Sequence, residues 1–291
     1  MVTAAPEDPV VAARRLAEEV LLPDAAAVDA GATLPQRHLE ALDASGLTGL
    51  AARRPSLAVR LAVTEALASG CLATAFVWLQ HQGALAAVGR STEADLADRY
   101  AEPIASGRLR AGVAITALRP PEPLRLRWAP DGGELTGRVP WVTGWGIVDV
   151  LRVAALGEND VVHSVLIDAR PSSTLTVEQL DLTAARASRT ATLSFAAHPV
   201  AADALISRVP LAEWQAGDAA GLAGNGALAL GVAARAAALA GSASLVAEVD
   251  AARARLATAP SEGLAAARAA SSALAVRATA CLLYTSPSPR D

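Results

Sequence analysis

The sequence Gly137-Arg-Val-Pro-Trp141-Val-Thr143-Gly-Trp145-Gly-Ile-Val-Asp-Val150 decides how this chain is interpreted. Trp141 and Thr143 are two positions apart, so a regular strand would place both side chains on one face. An aromatic plane beside a small hydrogen-bonding group suits a flat heteroaromatic ring. The ordinary alternative is a tryptophan of the core and a strand threonine without a further role.

Apolar and polar residues alternate on both sides of this stretch. Leu124, Leu126 and Trp128 alternate with Arg125 and Arg127, which is the period of a half-buried strand. The same pattern predicts strands over 134–143, 148–155, 161–167, 175–180 and 190–195. Short strands with turn residues between them favour a compact antiparallel barrel or sandwich.

Helical patterns precede and follow the strands. They cover 9–28, 33–46, 57–69, 72–88 and 93–104 before the strands, and 222–245, 248–257 and 261–280 after them. Segregated blocks of helices and strands exclude alternating βαβ units. The predicted fold is mainly α with a central β-barrel domain: a helical N-terminal domain (1–108), a middle β-barrel domain (109–205) and a helical C-terminal domain (206–280).

The last eleven residues, Cys281-Leu-Leu-Tyr-Thr-Ser-Pro-Ser-Pro-Arg-Asp291, do not continue this pattern. They resemble the translation of a sequencing adaptor, and we treat 281–291 as a foreign tail. A native tail is the alternative. On the first interpretation the natural chain continues beyond Ala280, the C-terminal domain is incomplete, and apolar helix faces are left unburied.

Composition limits the classes of partner. The net charge is −4 and the arginines form no basic stripe, so we expect no nucleic acid. The segment 221–246 is mostly alanine and glycine around Arg235, so we expect no membrane span. The acidic N-terminus does not resemble a signal peptide, and Cys71 and Cys281 provide no disulfide framework, so a cytoplasmic location is expected.

Other chemistry-bearing residues give few candidates for a reactive centre. The four histidines show neither the spacing of a helical metal pair nor a cysteine partner, so no metal site is expected. His81 lies in a predicted apolar helix, where a core histidine is the more common outcome than one that faces a substrate. Cys71 is expected to be a small buried residue rather than a nucleophile.

Five strings in the same order resemble the acyl-CoA dehydrogenase family. They lie at Leu22–Leu50, Ala73–His81, Gly137–Ala155, Leu193–Val200 and Gly221–Leu239. The third is similar to the family's paired strands with a W-(I/V)-T-(N/G)-G sequence, and the fourth to its exit from the barrel. The resemblance extends from about Leu16 to Ala280, and it is divergent.

The resemblance implies FAD as cofactor. It implies that Trp141 packs against one face of the flavin ring and that Thr143 hydrogen-bonds near flavin N5. It also implies contacts from the first barrel strand, through Ile115 and Thr116. The family's T-E-P-x-x-G-S-D string is represented only by Thr116, because Glu-Pro and Gly-Ser-Asp are missing from the stretch that follows.

The implied reaction is oxidation of an acyl-CoA or related thioester at the Cα–Cβ bond. It needs a carboxylate base, and none is identified: Gly221 and Leu222 stand at one family position, and Asp218 is the nearest acid. A homodimer or homotetramer is implied as well. Two alternatives stay open, a flavin-dependent monooxygenase of the same fold and a cofactor-free paralogue that acts as a binding or assembly subunit.

Overall fold

A computed structural model describes residues 7–31, 33–118 and 123–285 of the chain. Contacts divide the chain into two compact units. The first takes in Met1–Ala27, Pro55–Ala75 and Ala216–Asp291, and the second takes in Val28–Arg54 and Phe76–Gln215. The first unit is helical, and the second holds all the strands that the described residues form. The domain boundaries at residues 108, 205 and 280 stay a prediction.

Nine α-helices are present in the described part of the chain. They are α1 (Pro9–Leu16), α2 (Leu22–Ala30), α3 (Gln36–Ala44), α4 (Leu57–Gly70), α5 (Leu72–Val88), α6 (Ala94–Ala105), α7 (Leu211–Leu239), α8 (Ala243–Thr258) and α9 (Leu264–Thr285). The residues before three of them cap free backbone amides, as the sequence favours. Asp8 accepts from the amides of Val10 and Val11, and Ser56 and Ser242 cap α4 and α8 in the same way.

The predicted helices are present, but several of their bounds differ: α7 begins at Leu211 rather than at residue 222, and α8 begins at Ala243 rather than at residue 248. The helix predicted over 9–28 is divided by a π-helical turn at Ala17–Leu21. The helix predicted over 222–245 ends instead at Leu239, because Gly241 takes a left-handed φ of +60° and Ser242 caps the next helix. The last helix continues through Cys281 to Thr285, past the predicted start of the tail.

The eight strands of the second unit form one sheet. They are β1 (Ala111–Ala114), β2 (Arg125–Ala129), β3 (Gly132–Val142), β4 (Val150–Leu156), β5 (Val161–Asp168), β6 (Leu175–Gln179), β7 (Ala191–Ala201) and β8 (Leu205–Pro210). Their order is β6-β7-β3-β2-β4-β5-β8, and β1 pairs with β4 in parallel. The apolar side chains of the alternating positions form one buried cluster, with Leu135, Val139, Leu151, Leu175 and Leu193 fully buried.

This architecture confirms the predicted fold class, mainly α with a central β domain. Periodicity missed β1 and β8. The four residues of β1 are all buried and show no alternation, and the six residues of β8 fall between two stronger signals, the exit from β7 and the start of α7. It also placed the end of β3 at Thr143, whereas the strand ends at Val142. This difference of one residue accompanies an irregularity in the pairing of β3 between Val139 and Val142, which is described with the candidate site.

One helix, α7, is long and apolar enough to cross a membrane by length and composition. Half of its most apolar window is buried within the protein. A core helix of this length passes the same test, so the observation is weak evidence for a span.

Close packing of α7 against α4 in the first unit depends on Gly231. A Cβ added to Gly231 would lie 2.7 Å from the Ala68 Cβ and 2.9 Å from the Ser69 backbone nitrogen. Gly221, on the same helix, has no atom within 4 Å of an added Cβ. The two glycines therefore differ in environment within one helix.

We expect Gly231→Ala to lower the free energy of unfolding by about 1–3 kcal/mol, because the helix backbones must separate. Gly221→Ala, the matched control, should raise it by about 0.5–1 kcal/mol through helix propensity alone. Urea unfolding of the three proteins measures both effects. Equal effects of the two substitutions would contradict the close packing.

Candidate functional site

The pairing of β3 with β7 contains a β-bulge at Pro140 and Trp141. Val139 lies opposite Leu193 and Val142 lies opposite Ala191, so two residues of β3 stand against one of β7. Proline has no N–H and cannot donate to the neighbouring strand, which makes it suitable for such a position. A bulge turns the next side chain away from the direction that regular alternation would give it.

Trp141 is held in a conformation that bulky residues seldom adopt. Its φ is +60°, in the left-handed region. Its side chain is 59% exposed, whereas Trp78 and Trp145 are buried and Trp128 and Trp214 are half-buried. The protein thus presents one of its five tryptophans to the surface on a strained backbone.

The expectation that Trp141 and Thr143 share a strand face is wrong. Trp141 is exposed, while Thr143 is only 2% exposed and lies just beyond the end of β3. The bulge breaks the period of two on which the expectation was based. The two residues stay neighbours in sequence, one as a surface aromatic ring and the other as a buried hydroxyl group.

The Thr143 hydroxyl belongs to a chain of three buried hydroxyl groups. Its Oγ1 lies 3.1 Å from Thr190 Oγ1, which lies 2.9 Å from Ser188 Oγ. Ser188 and Thr190 are at most 1% exposed. Sequence reasoning missed both as site residues, because they follow Thr143 by more than 40 positions and the alternation at 190–195 indicated only a strand.

Backbone contacts hold the turn after Thr143 against the segment that carries these hydroxyls. The Gly144 amide donates to the Ser188 carbonyl at 2.8 Å, and the Trp145 amide donates to the Arg189 carbonyl at 3.1 Å. Arg189 Nε donates in return to the Trp145 carbonyl at 2.8 Å. Gly144 takes a φ of +92°, a conformation that favours glycine at this turn.

The structure brings Thr116 to the bulge. Its Oγ1 donates to the Pro140 carbonyl, so the turn after β1 is tied to the residue before Trp141. Ile115 is half-buried and packs against two apolar clusters of the second unit. Counted from Thr116, the absent Glu-Pro would fall at 117–118 and the absent Gly-Ser-Asp at 121–123, and of these positions 121 and 122 lie outside the described residues.

The structure thus ties Thr116 to the bulge that exposes Trp141, while the Thr143 hydroxyl is buried against Thr190. Trp141 offers an exposed aromatic ring on which a flat ring could stack. The exposed tryptophan suits a flavin ring, whereas the Thr143 hydroxyl is buried and the Thr116 hydroxyl already donates to the Pro140 carbonyl. Within residues 7–31, 33–118 and 123–285 no three His, Cys, Asp or Glu side chains cluster in a way that could hold a metal ion.

His81 lies in the core of the second unit, on α5. Its Nδ1 accepts from the Ala111 amide at 3.1 Å, so the ring is neutral with its proton on Nε2. Burial, together with the nearby Arg110 guanidinium, lowers the pKa of His81 to about 4. The adjoining cavity has a volume of about 20 Å³, enough for about one water molecule. The structure therefore agrees with a core histidine.

Comparison with known proteins shows similarity in structure but not in sequence. No protein-family model matches the chain, and no curated protein matches it. Solved structures do match it. The butyryl-CoA dehydrogenase of Megasphaera elsdenii is 17% identical, with a TM-score of 0.82 over 98% of this chain and 88% of that one.

Two mycobacterial structures agree with this result. The glutaryl-CoA dehydrogenase of Mycobacterium smegmatis is 16% identical, with a TM-score of 0.81 over 98% of this chain and 85% of that one. A probable acyl-CoA dehydrogenase of Mycobacterium abscessus is 21% identical, with a TM-score of 0.79 over 97% and 87%. The fold is therefore that of the acyl-CoA dehydrogenases, as the resemblance implied. Identities this low show the fold alone.

The buried neutral state of His81 gives a pH prediction. The unfolded chain binds a proton to this histidine below about pH 6.5, and the folded protein does so only near pH 4. The free energy of unfolding should therefore fall as the pH drops from 6.5 towards 5. The contribution of His81 to this slope is at most about 1.4 kcal/mol per pH unit and is about half of that near pH 6.5.

The His81→Phe variant lacks the contribution of this histidine to the pH dependence of the free energy of unfolding. Urea unfolding of both proteins at several pH values between 5 and 6.5 should give a shallower pH dependence for the variant. The comparison of slopes is independent of any general loss of stability that the substitution causes. Parallel slopes would show that His81 is protonated in the folded protein, contrary to its environment.

Proposed function

We propose that the protein is an FAD-dependent oxidoreductase of the acyl-CoA dehydrogenase type, which oxidises an acyl thioester at the Cα–Cβ bond. The observation that carries this proposal is Trp141, exposed on a left-handed backbone in a β-bulge. Strain of this kind costs free energy of folding and persists where function requires it. A ring stacked on Trp141 accounts for both the strain and the exposure.

Four residues would hold the flavin. Trp141 would cover one face of the ring, and Thr143 would place a hydroxyl beside it. Thr116 and Ile115 would flank it from the turn after β1, where the Thr116 hydroxyl bond to the Pro140 carbonyl keeps the bulge in place. A bound FAD would supply the hydride acceptor, and the chain's residues would orient the ring and exclude water.

The base that removes the α-proton is not assigned. No residue of the second unit is proposed for it, and Asp218, the acid nearest to the family position in sequence, lies in the other unit. A flavin-dependent monooxygenase of the same fold needs no such base, so it is the second candidate function. Acyl-CoA as substrate, a homodimer or homotetramer and a cytoplasmic location belong to the proposal in the same way.

Titration of the purified full chain with FAD tests the proposal. Quenching of flavin fluorescence and a yellow protein after gel filtration are expected. Bleaching of the bound flavin by an acyl-CoA without oxygen supports the dehydrogenase. Bound flavin that acyl-CoAs leave oxidised favours the monooxygenase. A colourless protein that does not respond to FAD would overturn both in favour of the cofactor-free subunit.

Trp141→Gly separates the folding role of this position from its binding role. Glycine adopts a positive φ without the cost of about 1–2 kcal/mol that other residues bear. Part of this gain is offset by the greater flexibility of glycine in the unfolded chain. We therefore expect an unchanged or slightly higher melting temperature, together with at least about tenfold weaker FAD binding from the loss of the aromatic face.

Ala197→Gly is the matched control. Ala197 is also exposed on β7 with a φ of +50°, so the substitution relieves a similar strain. It should change stability in the same direction as Trp141→Gly and leave FAD affinity as it is. Equal FAD affinities for wild type and Trp141→Gly would show that Trp141 does not contact the flavin.

A further inference from the structure

We infer that a cleft between α6 and the ends of β5 and β7 binds a small zwitterion of the amino-acid class. Asp168 would bind the ammonium group of this ligand, and Arg170 would bind its carboxylate. The inference goes beyond the proposed function, because none of the residues proposed to hold the flavin lines this cleft.

The cleft is large enough for a small molecule and has an apolar floor. Its volume is about 400 Å³, which lies in the range of small-molecule sites. The floor comes from Leu166 and Ile167 on β5 and from Val200 on β7, all of which are buried. Tyr100, half-buried on α6, lines the cleft from the helix.

Contacts between distant parts of the sequence hold the helix side of the cleft. The Thr92 amide and the Ser91 hydroxyl both donate to the Ile206 carbonyl, at 3.2 and 2.9 Å, which binds the residues before α6 to β8. Further along the helix, Arg99 forms an ion pair of 2.8 Å with Asp203, in the turn between β7 and β8. The cleft is therefore formed before a ligand arrives, which lowers the entropic cost of binding.

The turn that carries Arg170 is held in place as well. The Ser172 Oγ accepts from the amides of Thr174 and Leu175, at 3.2 and 3.1 Å. Thr174 Oγ1 lies 2.9 Å from His198 Nδ1, so the turn is joined to β7. Burial lowers the pKa of His198, which is therefore neutral at pH 7 and adds no charge to the cleft.

The charged side chains of the cleft indicate the class of ligand. Two arginines and two aspartates line it, and Arg99 and Asp203 neutralise each other. The other two, Asp168 and Arg170, are exposed, and neither side chain has a hydrogen-bond or ion-pair partner within the described ranges of the chain. The cleft thus offers one carboxylate and one guanidinium to a ligand.

A ligand of a single charge matches only one of these two groups. An anion on Arg170 would face the Asp168 carboxylate, and a cation on Asp168 would face the guanidinium, so each would meet a like charge at a cost in affinity. A zwitterion meets both groups with the opposite charge. The planar guanidinium matches a carboxylate through two parallel hydrogen bonds, and a carboxylate accepts from an ammonium group. The apolar floor favours an amino acid with an apolar side chain.

Isothermal titration calorimetry of the full chain with L-leucine and L-phenylalanine tests the inference. At least one of the two is expected to bind with a Kd below about 1 mM. Analogues of each amino acid lack one charge: isocaproate and hydrocinnamate have no ammonium group, and isoamylamine and phenethylamine have no carboxylate. The analogues should bind at least about tenfold more weakly than the parent amino acid, because each leaves one charge of the cleft unmatched.

Substitutions at the two charged residues locate the site. Arg170→Gln and Asp168→Asn should each weaken binding of the amino acid at least about tenfold, because each removes the partner of one ligand charge. Arg125→Gln is the matched control, since Arg125 is an exposed arginine of β2 that does not line the cleft, and it should leave the affinity as it is. Circular dichroism establishes that each variant is folded.

The outcomes are separate from those of the flavin titration. If neither amino acid binds the wild type, or if Arg170→Gln and Asp168→Asn both bind as tightly as the wild type, the inference is wrong, whether or not the protein binds FAD. An analogue without the ammonium group that binds as tightly as its amino acid would also overturn it, because the cleft would then be a site for simple anions. If one of the two charge variants does not fold, the other decides.

Discussion

The pairing of β3 with β7, interrupted by the bulge at Pro140 and Trp141, is the constraint on which the candidate site depends. The paired residues on both sides of the bulge, Val139 with Leu193 and Val142 with Ala191, are buried and fix the strand ends. Trp141 between them must take a left-handed backbone, at a cost of about 1–2 kcal/mol. Apolar packing of the sheet offsets this cost in free energy. As a result the Trp141 ring lies at the surface and not in the core.

Much of the fold could be predicted from the sequence because core positions repeat with the period of their element. The helix at Leu72–Val88 and the strand from Val161 follow directly from such patterns. The site could be predicted only in part. The sequence motif indicated Trp141 and Thr143 as candidate residues. Periodicity, however, assumes a strand of constant register, and an apolar–polar pattern does not reveal a bulge with a positive φ. The Thr143–Thr190 contact joins residues 47 apart, and no local signal indicates it.

The comparisons with known proteins show the same difference between the fold and the site. Solved acyl-CoA dehydrogenases share the fold at identities of 16–21%, and no family model matches. A fold tolerates such divergence, since many apolar side chains can fill a core. A site depends on a few residues, so its chemistry has to be argued from those residues. The residues proposed for it here include an exposed tryptophan, a buried threonine and a threonine tied to the bulge.

We propose above all that the bulge keeps Trp141 exposed as one wall of a flavin site. The most direct measurement is a crystal structure of the full chain grown with FAD. We expect a flavin ring against Trp141, with Thr143 Oγ1 within hydrogen-bonding distance of N5 and Trp141 still at a positive φ. A flavin bound elsewhere, or a Trp141 side chain packed into the core on a regular strand, would contradict it.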